Sequence, residues 1–144
     1  MIELLKQSLD YIVFGILGSM SFLMVWFAIE RILYYRSVKL SDFSREDALN
    51  ISLTKHLTLI STIGANAPYV GLLGTVIGIL ITFYDIGQSG DSIEVGVILV
   101  GLALALKATA MGLLVAIPAI WIYNGLLRRA EVLQTGWRTL HDKS

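Results

Sequence analysis

The sequence predicts an all-α integral membrane protein of three transmembrane helices, and three patterns in it carry that prediction. Formal charges are absent from Tyr11–Ile29 and Leu57–Tyr84, and only Lys107 interrupts Val95–Leu127. Each stretch reaches or exceeds the roughly 20 apolar residues that cross a bilayer as a helix. Small residues recur at helical spacing in the second and third stretches. The basic residues gather on one side of the alternation. With 56% apolar and 15% charged residues among 144, little sequence is left for a soluble domain.

The whole chain, 1–144, reads as one three-helix membrane domain. The first span, about 11–35, is rich in bulky and aromatic residues. Such a helix faces lipid over much of its circumference, with Trp26, Tyr34 and Tyr35 near the inner interface. Glu3, Lys6 and Asp10 precede it, so it lacks the positive leader of a secretory signal and reads as a retained anchor. A polar connection follows over about 36–56.

The second span, about 57–86, places Gly71, Gly74 and Gly78 on one bare stripe. In lipid there is no hydrophobic drive between helices, and close approach across small residues takes its place. Pro68 removes the backbone bond to the carbonyl of Gly64 and predicts a bend. Asn66 is expected as a polar tie between helices, worth about 0.6 kcal/mol.

An outer loop is expected at about 87–92, and the third span at about 93–127. Gly101, Ala105, Ala108, Gly112 and Ala116 repeat the small-residue stripe there. Thr109 falls within about 60° of Ala105, Gly112 and Ala116 around the helix, hence on the close-packing face. Pro118 frees the carbonyl of Leu114 and predicts a second bend. The two stripes predict self-association into an oligomeric bundle. A polar tail, 128–144, ends the chain.

Orientation follows from the basic residues. Arg31, Arg36, Lys39, Arg45 and Lys55 lie in or beside the first connection, and Arg128, Arg129, Arg138 and Lys143 lie in the tail. The link between the second and third spans holds Asp85, Asp91 and Glu94 and no basic residue. The positive-inside rule then puts the N-terminus and that link outside, and the first connection and tail inside. Because the charges are segregated by side, the zero net charge gives no nucleic-acid-binding face.

Lys107 is the costly residue. A charge near the bilayer centre costs roughly 2.5–3.5 kcal/mol on insertion scales. It lies about 18 Å from the start of its span, far to snorkel, and about 200° around the helix from Thr109. The expectation is a functional group that meets a carboxylate at similar depth, on another subunit or on a partner.

Enzyme chemistry finds no support. The glycines of the second span are followed by no Gly-Lys-Ser/Thr, so they form no phosphate loop. Only His56 and His141 are present, with no cysteine, so no metal site is expected. No serine–histidine–aspartate set assembles at one depth. No cofactor is expected.

STIGANAPYVGLLGTVIGI, followed about thirty residues later by GLALALKATAMGLLVAIPAIWIYN, resembles the MotA/TolQ/ExbB proton-channel family. The likeness is closest to its ExbB/TolQ branch, and the short first connection is similar to the compact ExbB form. It covers roughly residues 60–124. The resemblance implies a bacterial inner-membrane energiser. It would be a homopentamer around a single-span ExbD-like partner, coupling proton entry to a TonB-like protein that drives uptake across the outer membrane. In that picture spans two and three line a central pore, and an aspartate of the partner carries the proton. Thr75 and Thr109 match the pore threonines, Pro68 and Pro118 the bends, and Gly71, Gly74, Gly78 and Gly112 the close-packing positions.

One departure stands out. The family pattern has GIAEAL where this chain has GLALAL, so Leu104 replaces a glutamate, and Lys107 stands where that pattern is apolar. The alternatives are a TolQ-like motor subunit for envelope maintenance, a small transporter binding substrate at the midplane, and a structural scaffold. The transporter would show polar residues clustered in a broken helix.

Overall fold

The computed structural model describes residues 2–89 and 94–142, and the side chains of 4–88 and 94–142. Asp91, Lys143 and part of the expected outer loop lie outside these. The described residues form four α-helices: α1 (Ile2–Ser37), α2 (Glu46–Thr54), α3 (Leu57–Ser89) and α4 (Val95–Asp142). A single 3-10 turn, Leu40–Asp42, lies between α1 and α2. No strand occurs among the described residues. The helices α1, α3 and α4 are each long and apolar enough to cross a membrane.

At 1.5 Å per residue α4 is about 72 Å long, more than twice the hydrocarbon thickness. It does not stop at Arg128 and Arg129, where the apolar run ends. The residues 128–142 continue as helix, because no proline lies among them and their one glycine, Gly136, stays helical against Leu40. Pro68 and Pro118 both lie inside their helices, which run on past them.

The α3–α4 pair is the spine of the fold. A Cβ built on Gly71 would meet the Ala108 carbonyl oxygen at 2.5 Å, and one on Gly112 the Ala67 carbonyl oxygen at 2.6 Å. The two backbones therefore touch where these glycines face each other. Towards the far end of α3, Gly78 faces Ala105, and Gly101 faces Thr82. Both stripes are thus spent on each other within one chain. Helix α1 lies over this seam, with Val13 against Gly74 and with Leu17, Ala67, Ala108 and Ala116 in the same buried cluster.

A second core sits at the other end. The short α2 carries Leu49 and Leu53 one turn apart, and both are fully buried. They pack with Tyr35 of α1, Leu57 and Ile60 of α3, and Leu126, Ala130 and Trp137 of α4. Glu46 and Asp47 in the first turn of α2 suit the positive end of its helix dipole. The turn from α2 into α3 is made at His56, in the left-handed region at φ 69°. A non-glycine residue there costs on the order of 1–2 kcal/mol. Its ring stacks on Phe27 at 4.3 Å between centroids.

Arg31 fastens α1 to α2. The residue is 2% exposed, and its guanidinium donates to both oxygens of Glu30 at 2.6 and 2.7 Å and to the Ser52 carbonyl at 2.7 Å. It also lies over the Tyr34 ring at 4.3 Å. The Tyr34 hydroxyl bonds the Ser52 hydroxyl, and the Tyr35 hydroxyl donates to the Leu53 carbonyl. Both tyrosines, expected at the lipid interface, are therefore turned onto α2, while Trp26 remains 60% exposed.

Candidate functional site

Many hydroxyls on these helices bond the carbonyl one turn back. Ser19, Thr54, Thr62, Thr82, Thr135 and Thr139 all do so. Such back-bonding costs a helix little and says nothing of function. Thr75 behaves differently.

The glycine stripe brings α3 so close to α4 that the buried Thr75 Oγ1 donates across the seam to the Ala105 carbonyl, at 2.9 Å. The Thr75 and Thr109 hydroxyl oxygens are 2.5 Å apart. A hydroxyl has one proton. With that of Thr75 given to Ala105, Thr109 donates to Thr75 and keeps its own lone pairs for an acceptor role. Thr109 is only partly buried, so the oxygen at the end of this chain lies at the rim of the seam. The arrangement offers a fixed polar point in an otherwise apolar span. In a low-dielectric setting such a point interacts more strongly with a nearby carboxyl than it would in water.

Lys107 does not join this pair. It is exposed on the other side of α4, with Nζ 5.0 Å from the centroid of Phe14 on α1. Among the described residues it meets no carboxylate. A cation over a ring face gains about 0.5–2 kcal/mol, rising with desolvation. Leu104, one turn away, is exposed and lines a cleft of about 70 Å³ with Lys6, Asp10, Thr82 and Gly101. Asn66, expected between helices, is exposed and donates to the Thr62 carbonyl of its own helix at 2.8 Å.

Three features escaped the sequence reading. Arg31 looked like a marker of the end of a span, yet it is a buried clamp. Thr82 is buried behind Gly101, a contact that no spacing in the sequence marks. The tail carries a lock, in which Arg138 donates to Glu46 Oε1 at 2.6 Å and Gln134 at 3.1 Å, while Trp137 Nε1 donates to the Phe43 carbonyl at 2.9 Å. The Arg138 guanidinium, with help from Gln134, holds the Glu46 carboxyl below the usual carboxylate range. The leucine pair Leu49 and Leu53, four apart in a charged connection, was the signal for a packed helix there.

Most of the apolar surface of the three long helices is uncovered within the chain, since less than a quarter of each apolar window is buried. That surface needs lipid or other chains. Comparison with known proteins agrees with a membrane protein. The family model described as the MotA/TolQ/ExbB proton channel family matches residues 38–139. A biopolymer transport protein ExbB of Helicobacter pylori strain J99 is 53% identical over 137 residues, covering 95% of this chain and 94% of that protein. A putative biopolymer transport protein ExbB-like 2 of Helicobacter pylori strain 26695 is 49% identical, covering 95% and 91%. The ExbB of Aquifex aeolicus is 49% identical over 143 residues, covering 99% and 96%. A family match across most of the chain, relatives alike nearly end to end and three apolar helices meet in one conclusion: this multi-pass membrane protein belongs to the MotA/TolQ/ExbB proton channel family.

Proposed function

We propose that the chain is the channel-forming subunit of a bacterial inner-membrane energiser. It works as a homopentamer with an ExbD-like single-span partner and couples proton entry to a TonB-like protein that drives outer-membrane uptake. The observation that carries this reading is the Thr75–Thr109 pair. Two hydroxyls are linked across the α3–α4 seam instead of back-bonding, and the outermost one is partly open to a neighbouring chain. An aspartate on the partner helix, reaching Thr109, would exchange its proton against that oxygen. Lys107, on the opposite face, supplies a cation for a carboxylate of another chain at similar depth.

The test uses cells that depend on this chain and its partner for proton-coupled uptake. Thr75→Val and Thr109→Val keep the shape and remove the hydroxyls, whereas Thr109→Ser keeps the hydroxyl. Uptake should fall at least tenfold in the valine variants, the cost of about 1.4 kcal/mol or more, and persist in the serine variant. Wild-type uptake in both valine variants, at normal complex yield, would overturn the reading. Orientation is tested separately. The chain has no cysteine, so Gln7→Cys and Thr139→Cys give single labelling sites. An impermeant maleimide added outside the inner membrane should label the first and not the second.

A further inference from the structure

A groove between α1 and α4, at the end of the molecule that carries α2, has a composition the channel reading does not use. Its volume is about 400 Å³, and Ile32, Tyr35 and Arg36 of α1 face Ile122, Gly125 and Arg129 of α4 across it. Gly125 forms a bare stretch of floor, since a Cβ there would meet nothing within 4 Å. The polarity changes along the groove in the same sense on both walls. Arg36 stands one turn beyond Ile32, and Arg129 stands one turn beyond Gly125 and two beyond Ile122. On α4 this is where the apolar run Val95–Leu127 ends, and on α1 it is the last turn before Ser37. Cations therefore sit at the rim of the bilayer, with an apolar trough leading from them into it.

Neither arginine has an acidic partner among the described residues, although the same end of the molecule is rich in ion pairs. Glu30 is held by Arg31, Asp47 by Arg45 and Glu46 by Arg138. Asp42, Glu131 and Asp142 make no ion pair among the described residues, so a second copy could offer a carboxylate, but not an apolar tail for the trough beside the arginines. A phosphodiester with acyl chains matches both halves of the groove.

We infer that this groove is a binding site for an anionic phospholipid, its phosphate between Arg36 and Arg129 and an acyl chain along Ile32, Gly125 and Ile122. Basic pockets between membrane helices on the positive side are suited to such headgroups. The inference needs only that this end lies at a membrane surface, and it stands whether or not the threonine pair handles protons.

The assay is native mass spectrometry of the purified complex, titrated with phosphatidylglycerol or phosphatidylcholine. Wild type should retain phosphatidylglycerol in preference to phosphatidylcholine, and inorganic phosphate should not displace it. The double variant Arg36→Gln/Arg129→Gln should bind phosphatidylglycerol roughly thirty-fold more weakly. Gly125→Leu, which fills the trough and keeps both charges, should also lose it. Arg128→Gln, which changes a charge beside the groove, should not. Equal retention of the two lipids, displacement by inorganic phosphate, or wild-type retention by both groove variants would overturn the site. A change of oligomer mass in the groove variants with lipid retention unaltered would overturn it too, by assigning the groove to a second copy.

Discussion

Alanine at Gly71 is the most demanding test of the seam between α3 and α4. The new methyl would lie 2.5 Å from the Ala108 oxygen and 3.1 Å from the Cα atoms of Gly112 and Thr109. These neighbours are backbone, so no rotamer change relieves the contact. Reaching ordinary contact at 3.4 Å requires the helices to part by about 0.9 Å. The Thr75–Ala105 bond, 2.9 Å long, would then stretch to roughly 3.8 Å and be lost. Overpacking costs about 1–3 kcal/mol and the bond about 0.5–1.5, while alanine returns up to about 1 through helix propensity. The expected net loss is about 1–3 kcal/mol. Gly15→Ala is the control, because nothing lies within 4 Å of a methyl there. It should be neutral or slightly stabilising. Both variants can be unfolded by titration with sodium dodecyl sulfate and followed by far-ultraviolet circular dichroism. If their stabilities agree within about 0.5 kcal/mol, the contact between the two backbones does not carry the packing assigned to it.

Three other outcomes follow from the structure. Arg31→Ala should cost about 1.5–3 kcal/mol by removing charge-assisted bonds to Glu30 and Ser52, read as a lowered thermal midpoint. Arg31→Lys should recover only part of it, since an ammonium cannot reproduce the planar fork. At Glu46 the folded carboxyl titrates lower than an unfolded one. Its contribution is therefore fully present above the ordinary carboxylate range and disappears as pH falls through the lowered folded value. Limited proteolysis of the connection 38–56 should accelerate in that acid range, and Glu46→Gln should be cleaved faster at neutral pH with a flatter pH profile. Lys107→Met should reduce proton-coupled uptake several-fold at normal complex yield, and wild-type uptake would remove Lys107 from the mechanism.

Much of the membrane part was legible because lipid imposes a severe rule on sequence. Charges cannot be scattered through a span, so their absence marks the three apolar helices, and Gly71 and Gly112 show up because little else permits backbone contact. The stripes did not announce their partner: spacing shows that a face is bare, not whether the chain or a neighbour covers it, and here α3 and α4 cover each other. The other end was less legible for a related reason. Tyr34 and Tyr35 have the composition of interfacial anchors, and only the placement of α2 turns them inward. Arg128 and Arg129 mark the end of a hydrocarbon span, but a charge does not end a helix, and α4 continues to Asp142. Thr75 and Thr109 were found by face and resemblance, yet the donor order between them depends on the Ala105 carbonyl, which no side-chain pattern reveals.

The length of α4 has a mechanical consequence. Thr109 and Trp137 lie on one continuous helix about 42 Å apart, one at the intramembrane seam and the other at the lock on Phe43. Such a helix behaves as a lever. A tilt of one degree about Thr109 moves the Trp137 end by about 0.7 Å, enough to strain a hydrogen bond of 2.9 Å. The only proline in the lever is Pro118, which removes one rung of its ladder nine residues from Thr109. The stiffness at that rung therefore sets how much of any displacement at the seam arrives at the far end.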